Sequence, residues 1–156
     1  MERFANIHKQ LEKEQSKSLG APYLHLDSRY AVLYYELGRY YFESKKYGDA
    51  TEWFQHAKSF YYHDPMFNFY IGICHKQTAN FSEAIKYLKR QLELNPDEPS
   101  PLYNIACVYA VHGQSYEATT WLRKGIKAYP KFKDKAMKDP DFDLIRNTKE
   151  FKDLMN

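Results

Sequence analysis

Apolar positions through the middle of the chain recur at a fixed step of 34 residues. Leu37, Ile71 and Ile105 stand in register, each followed at once by a small residue, Gly38, Gly72 and Ala106. Ala50, Ala84 and Ala118 keep the same step, as do Tyr41, His75 and Tyr109, and Phe54, Leu88 and Leu122. Prolines repeat with it, Pro65 with Pro99 and Pro96 with Pro130. Self-similarity at this spacing means one supersecondary unit used several times. Ahead of the repeats, Phe4, Ile7 and Leu11 form a narrow apolar stripe at helical spacing. That predicts an amphipathic N-terminal helix within residues 1–18, broken by Gly20 and Pro22, with Asp27 or Ser28 capping the next helix.

The repeated unit resembles the tetratricopeptide repeat, a helix-turn-helix of 34 residues with the signature W-x2-L-G-x2-Y, then A-x3-F, then P. The first copy carries Tyr34, Leu37, Gly38, Tyr41, Ala50 and Phe54. The second carries Asn68, Ile71, Gly72, His75, Ala84, Leu88 and Pro96, and the third Leu102, Ile105, Ala106, Tyr109, Ala118, Leu122 and Pro130. The resemblance implies an all-α fold, a right-handed superhelical stack of helix-turn-helix repeats with flanking N- and C-terminal helices. Small residues on both helices of a pair let them approach closely, and neighbouring pairs must stack because each buries only one face alone. Gln91 departs from the pattern, standing where a small residue is usual. The predicted division is an N-terminal helix and linker over 1–30, three repeats over 31–130 (31–64, 65–98 and 99–132), and a capping segment over 131–156. The last resembles the closing segment of many bacterial tetratricopeptide proteins, an Asp-Pro-x-Phe turn and a short helix. There Thr148 is expected to cap the helix, and Phe142, Ile145, Phe151 and Leu154 to cover the end of the stack.

Composition narrows the functional classes. The chain is 44% hydrophobic and 28% charged, as globular proteins are, but 17% aromatic with fifteen tyrosines, so large flat side chains are used repeatedly. A formal charge of +3 is too small to argue for nucleic acid by itself. No run has the length of a signal peptide core or a membrane span, which predicts a cytoplasmic chain without membrane partners, its two cysteines reduced.

Candidate chemistry is sparse. Cys74 and His75 are helical neighbours pointing about a hundred degrees apart, a poor geometry for a thiol and its base. The six histidines show no metal-ligand spacing, and phosphate-loop and nucleophile motifs are missing. No enzyme, metal or cofactor is therefore expected.

What remains is recognition of a protein or peptide. In the resembled family, residues of the first helices line a concave groove. Carried over by position, these are Tyr35, Phe69 and Tyr103 as an aromatic ladder, Tyr70 and Asn104, then Arg39, Ile73 and Cys107, and finally Phe42, Lys76 and Val111. The carboxylate clamp that holds chaperone tails in this family is absent, its places reading Tyr35, Arg39, Tyr70, Ser100 and Asn104. The expected function is a scaffold or adaptor that binds a partner segment in the groove. A dedicated chaperone of type III translocators is the alternative. Nucleic-acid binding by the basic run Arg123, Lys124, Lys127, Lys131, Lys133, Lys135 and Lys138 is a weaker one. The stripe of Phe4, Ile7 and Leu11 leaves room for a homo-oligomer.

Overall fold

The computed structural model describes residues 31–61 and 64–156. The expected N-terminal helix and its cap lie outside the described residues. Among those described, eight α-helices and no strand occur. They fall into two compact units, divided between Tyr62 and His63 and considered separately.

In the first unit α1 (Ala31–Glu43) and α2 (Tyr47–Phe60) form an antiparallel pair. Tyr34, Leu37, Ala50, Phe54 and Ala57 are buried between them, and the Tyr34 ring stacks on Trp53 at 5.8 Å. The second unit contains α3 (Pro65–Gln77) paired with α4 (Phe81–Leu94), and α5 (Ser100–Val111) paired with α6 (Ser115–Ala128). Its remaining elements are α7 (Phe132–Lys138), a 3-10 turn (Pro140–Phe142) and α8 (Lys149–Met155). Helix α4 packs on α5, so the second and third pairs stack through Ala84, Leu88, Ile105 and Val108. The unit therefore closes a face that neither pair could bury alone.

Local chemistry sets the helix starts. Asp64 accepts a hydrogen bond from the Met66 amide at 2.9 Å, and Pro65 takes the first turn, where its missing N–H is not needed. Thr148 caps α8 by accepting from the Phe151 amide, as the sequence predicts.

The turns inside the pairs carry the 34-residue step further than the apolar pattern does. Lys45, Ala79 and Gly113 all have left-handed φ, of 59°, 58° and 74°. The next amide in each case, that of Lys46, Asn80 or Gln114, returns to the carbonyl of Tyr41, His75 or Tyr109 at 2.8–2.9 Å. This is the Schellman closure, which satisfies the last carbonyls of a helix and prefers glycine at the left-handed residue. Only the third copy has that glycine. Ala79 is exposed, so its methyl contributes strain without packing. Ala79→Gly is expected to stabilise the protein by about 1 kcal/mol, the left-handed penalty of an L-residue. An unchanged or lower denaturation midpoint would contradict this.

Candidate functional site

The positions expected to line a groove differ sharply between copies. On α1, Tyr35 and Phe42 are half-buried, both against Phe54, with ring centroids 6.2 and 6.4 Å away. Arg39 is exposed, lies 6.0 Å from the centre of the Tyr35 ring and pairs with Glu43 at 3.1 Å. On α3, Phe69, Tyr70 and Ile73 are half-buried, and the Phe69 and Tyr70 rings meet edge to face at 5.3 Å. Asn104 and Val111 on α5 are half-buried too.

Tyr103 and Cys107 depart from the expectation of groove contacts. Each is only 2% exposed, because the segment after α7 returns across α5. Phe142 meets the Tyr103 ring at 5.7 Å and Phe132 meets it at 4.7 Å. The Tyr103 hydroxyl donates to the Asp139 carboxylate at 2.7 Å. Burial and this bond push the phenol far above its usual acidity range. The aromatic ladder therefore does not continue through the third copy: Tyr103 is a core residue holding the chain's own closing segment.

Lys76 joins the same arrangement. Its ammonium, only 10% exposed, donates to the Asp141 carboxylate. Asp139 also accepts from the Asp141 amide at 3.0 Å, and the Arg146 guanidinium donates to the backbone oxygens of Met137 and Asp139. Phe142, Ile145 and Phe151 are buried, and Leu154 packs beside them. The sequence misses the meeting of Cys107, Asp139 and Asp141, whose ligand atoms lie within 4.8 Å of one another. Burial holds the Cys107 thiol protonated, Asp141 reinforcing it, and the Lys76 ammonium supplies the cation for that carboxylate. The cluster is a closing contact by its chemistry.

Cys74 and His75 behave as packing residues. Cys74 is buried, and the His75 ring stacks on Tyr87 at 5.6 Å. Burial lowers the imidazole pKa, with Glu83 opposing and Lys86 adding to the shift. The unfolded chain then takes the proton first as pH falls below about 6.5, so this contribution to stability is present above that pH and lost as pH drops through the folded value. His75→Tyr, matching Tyr41 and Tyr109, is expected to flatten the fall in stability over roughly pH 7 to 5. Equal slopes for both proteins in denaturant titrations would refute it.

The basic run lies on exposed or half-exposed positions, but some of its cations are engaged with rings. Lys124 stands 4.4 Å over Trp121 and Lys135 stands 4.2 Å over Tyr103. Among the described residues no helix is long and apolar enough to cross a membrane.

The second pair keeps an open hollow. A cavity of about 310 Å³ is walled by Pro65, Met66 and Phe69 and edged by Gln91, Asn95, Glu98 and Ser100. Glu98 accepts from the Ser100 amide at 3.1 Å at the start of α5. Gln91 is only 7% exposed, and its Oε1 has no hydrogen-bond partner among the described residues. The sequence marked Gln91 only as an irregular repeat position.

Helical hairpins of one register, the second packed on the third through Ala84, Leu88, Ile105 and Val108, define a helical-repeat protein. The tetratricopeptide repeat model matches residues 31–61 and 69–98, and these two stretches are tetratricopeptide repeats. No curated protein matches its sequence at a significant level. Among solved structures, it is similar to the Yersinia enterocolitica type III secretion chaperone SycD in complex with a peptide of the translocator YopD. That match has 23% identity and a TM-score of 0.60, covering 83% of this chain and 87% of the other. The first repeat domain of Spaghetti (RPAP3), bound to an HSP90 peptide, matches at 16% identity and TM-score 0.61, covering 85% and 95%. YrrB, described as having an unusual peptide-binding site, matches at 22% identity and TM-score 0.64, covering 85% and 66%. At these identities the likeness is one of fold.

Proposed function

We propose that this chain is a protein-interaction module, a scaffold or adaptor that holds a segment of a partner protein on the face of α3 bearing Phe69, Tyr70 and Ile73. The observation that carries the reading is the contrast between α3 and α5. Position five is half-exposed as Phe69 but sealed as Tyr103, and position nine is half-exposed as Ile73 but sealed as Cys107. What seals α5 is a stretch of polypeptide anchored by one aromatic ring and two carboxylates. On α3 the closing segment reaches only Lys76, through Asp141, and leaves Phe69, Tyr70 and Ile73 half-exposed, and half-exposed aromatics are the usual anchors for a peptide. The division into three repeats over 31–130 and a closing segment over 131–156 belongs to this reading, in which the third repeat's groove positions are structural and recognition rests on the earlier ones. Two of the similar structures hold peptides, which agrees with it. The missing carboxylate clamp argues against chaperone-tail ligands.

The test is affinity capture from the native cells with mass spectrometry, comparing wild type with Phe69→Ala/Ile73→Ala of equal helicity. One partner captured by the wild type and lost by the variant supports the reading, while a partner retained by both sinks it. A dedicated secretion chaperone is the second reading, favoured by the match to SycD along most of both chains. It requires the captured partner to be an apolar client that precipitates when made alone.

A further inference from the structure

Several basic side chains of this protein meet a carboxylate one helical turn away: Arg39 with Glu43, Lys86 with Glu83, Arg90 with Glu93 and Arg146 with Asp143. Residues 121–138 differ. They hold seven cations against one carboxylate, Asp134, in a chain whose formal charge is only +3, so the rest of the chain is net acidic. None of the seven forms an ion pair among the described residues. Helix dipoles account for Lys127, Lys135 and Lys138, which stand in the last turns of α6 and α7. Lys131 and Lys133 stand at the start of α7, where a dipole disfavours a cation. Lys89 of α4 joins the run from the neighbouring pair. Its ammonium and that of Lys124 lie 5.7 and 4.4 Å from the centre of the half-buried Trp121 ring. Its neighbours Lys86 and Arg90 have carboxylates, and Lys89 has none among the described residues. Like charges gathered in this way repel one another, and an anion brought by a partner relieves the repulsion.

We propose that the exposed cations of α6 and α7, with Lys89, form a second docking surface, one for an acidic segment of a partner protein. It uses none of the α3 residues, so a chain with both surfaces can hold two partners at once. Charge complementarity names the class of partner. Carboxylates along a polypeptide meet the ammonium groups, and apolar residues among them cover Tyr129 and Met137, which are 41% and 50% exposed within the same run. Nucleic acid fits less well. Its bases stack on open aromatic faces, and the Trp121 ring is already engaged by two ammonium groups.

The experiment is fluorescence anisotropy on the whole purified protein over a salt series. The probe is a labelled twelve-residue peptide of glutamates interspersed with leucine and serine. It is expected to bind, and to lose affinity steeply as salt rises, because exposed charges are screened. The same peptide with glutamine for glutamate should not bind. Lys124→Glu/Lys127→Glu should weaken the acidic peptide by about tenfold, since each exchange turns an attraction into a repulsion. Lys45→Glu/Lys46→Glu changes the net charge equally at exposed lysines of the first unit and should bind as wild type does. Phe69→Ala/Ile73→Ala should bind as wild type does too. Equal losses in the two lysine variants, or loss in the α3 variant, would overturn the surface. So would no binding of the peptide, or binding of its glutamine form. Tighter binding of a twelve-nucleotide oligothymidylate or of phosphatidylserine vesicles, lost in Lys124→Glu/Lys127→Glu, would give the surface to another class of partner and overturn it as well. Each of these results, loss in the α3 variant aside, leaves the proposed α3 function standing.

Discussion

Phe142→Ala is expected to cost about 3–5 kcal/mol of stability, the range for removing a fully buried aromatic ring. Phe142 is wholly buried between Tyr103 and Phe151, with both ring centroids 5.7 Å away. Its loss leaves a cavity under a segment that cannot slide inward, because Arg146 and Asp139 fix the backbone on either side. Denaturant unfolding of the full chain measures the effect. Tyr103→Phe separates packing from polarity: it deletes only the bond to Asp139, and about 1.5–3 kcal/mol is expected because the acceptor is charged. Leu144→Ala, at an exposed neighbouring site, should stay within about 0.5 kcal/mol. A Phe142→Ala loss no larger than that of Leu144→Ala would mean that the closing segment is not part of the core, and Tyr103 would return to the groove. The prediction thus tests the premise that limits the proposed binding face to the earlier copies.

That limit was not legible in the sequence, and the reason is physical. A repeat pattern treats Phe69 and Tyr103 as equivalent because it records only what each hairpin asks of its immediate neighbours. What separates them is a return of the chain from residues 139–151, which has no period to announce it. The burial of Phe142, Ile145 and Phe151 was readable, since three large apolar residues in a short polar segment need a surface to cover. The end of the stack was the surface expected for them, and what was not readable is that Phe142 also covers Tyr103, a position expected to line the groove. The left-handed residues show the same asymmetry between pattern and cause. Gly113 signals its turn, while Lys45 and Ala79 adopt the same backbone because paired helices on either side impose it. Gln91 was visible as an irregularity, but its burial, at 7% exposure, was not.

Small residues at the helix crossings are where sequence and structure agree most closely, and they give the second large effect. Built on Gly38, a Cβ would lie 2.6 Å from the Phe54 ring, and on Gly72 it would lie 2.9 Å from Leu88. Both partners are fully buried and cannot give way without moving their helix. Alanine normally gains about 1 kcal/mol over glycine within a helix. Overpacking of a tight core costs about 1–3 kcal/mol or more, and the Phe54 overlap is the worse of the two. Gly38→Ala is therefore expected to destabilise by about 2 kcal/mol net and Gly72→Ala by about 1 kcal/mol. Gly125 gives the opposite sign. Its nearest neighbour to an added Cβ is a Phe132 ring carbon at 3.4 Å, ordinary contact, so Gly125→Ala should stabilise by up to about 1 kcal/mol. Ala106, fully buried at the same place in the third copy, shows that the register itself admits a methyl where the facing side chain leaves room. If all three substitutions stabilised the protein alike, helix propensity alone would govern these sites, and close approach would not be what fixes the small residues in the repeat.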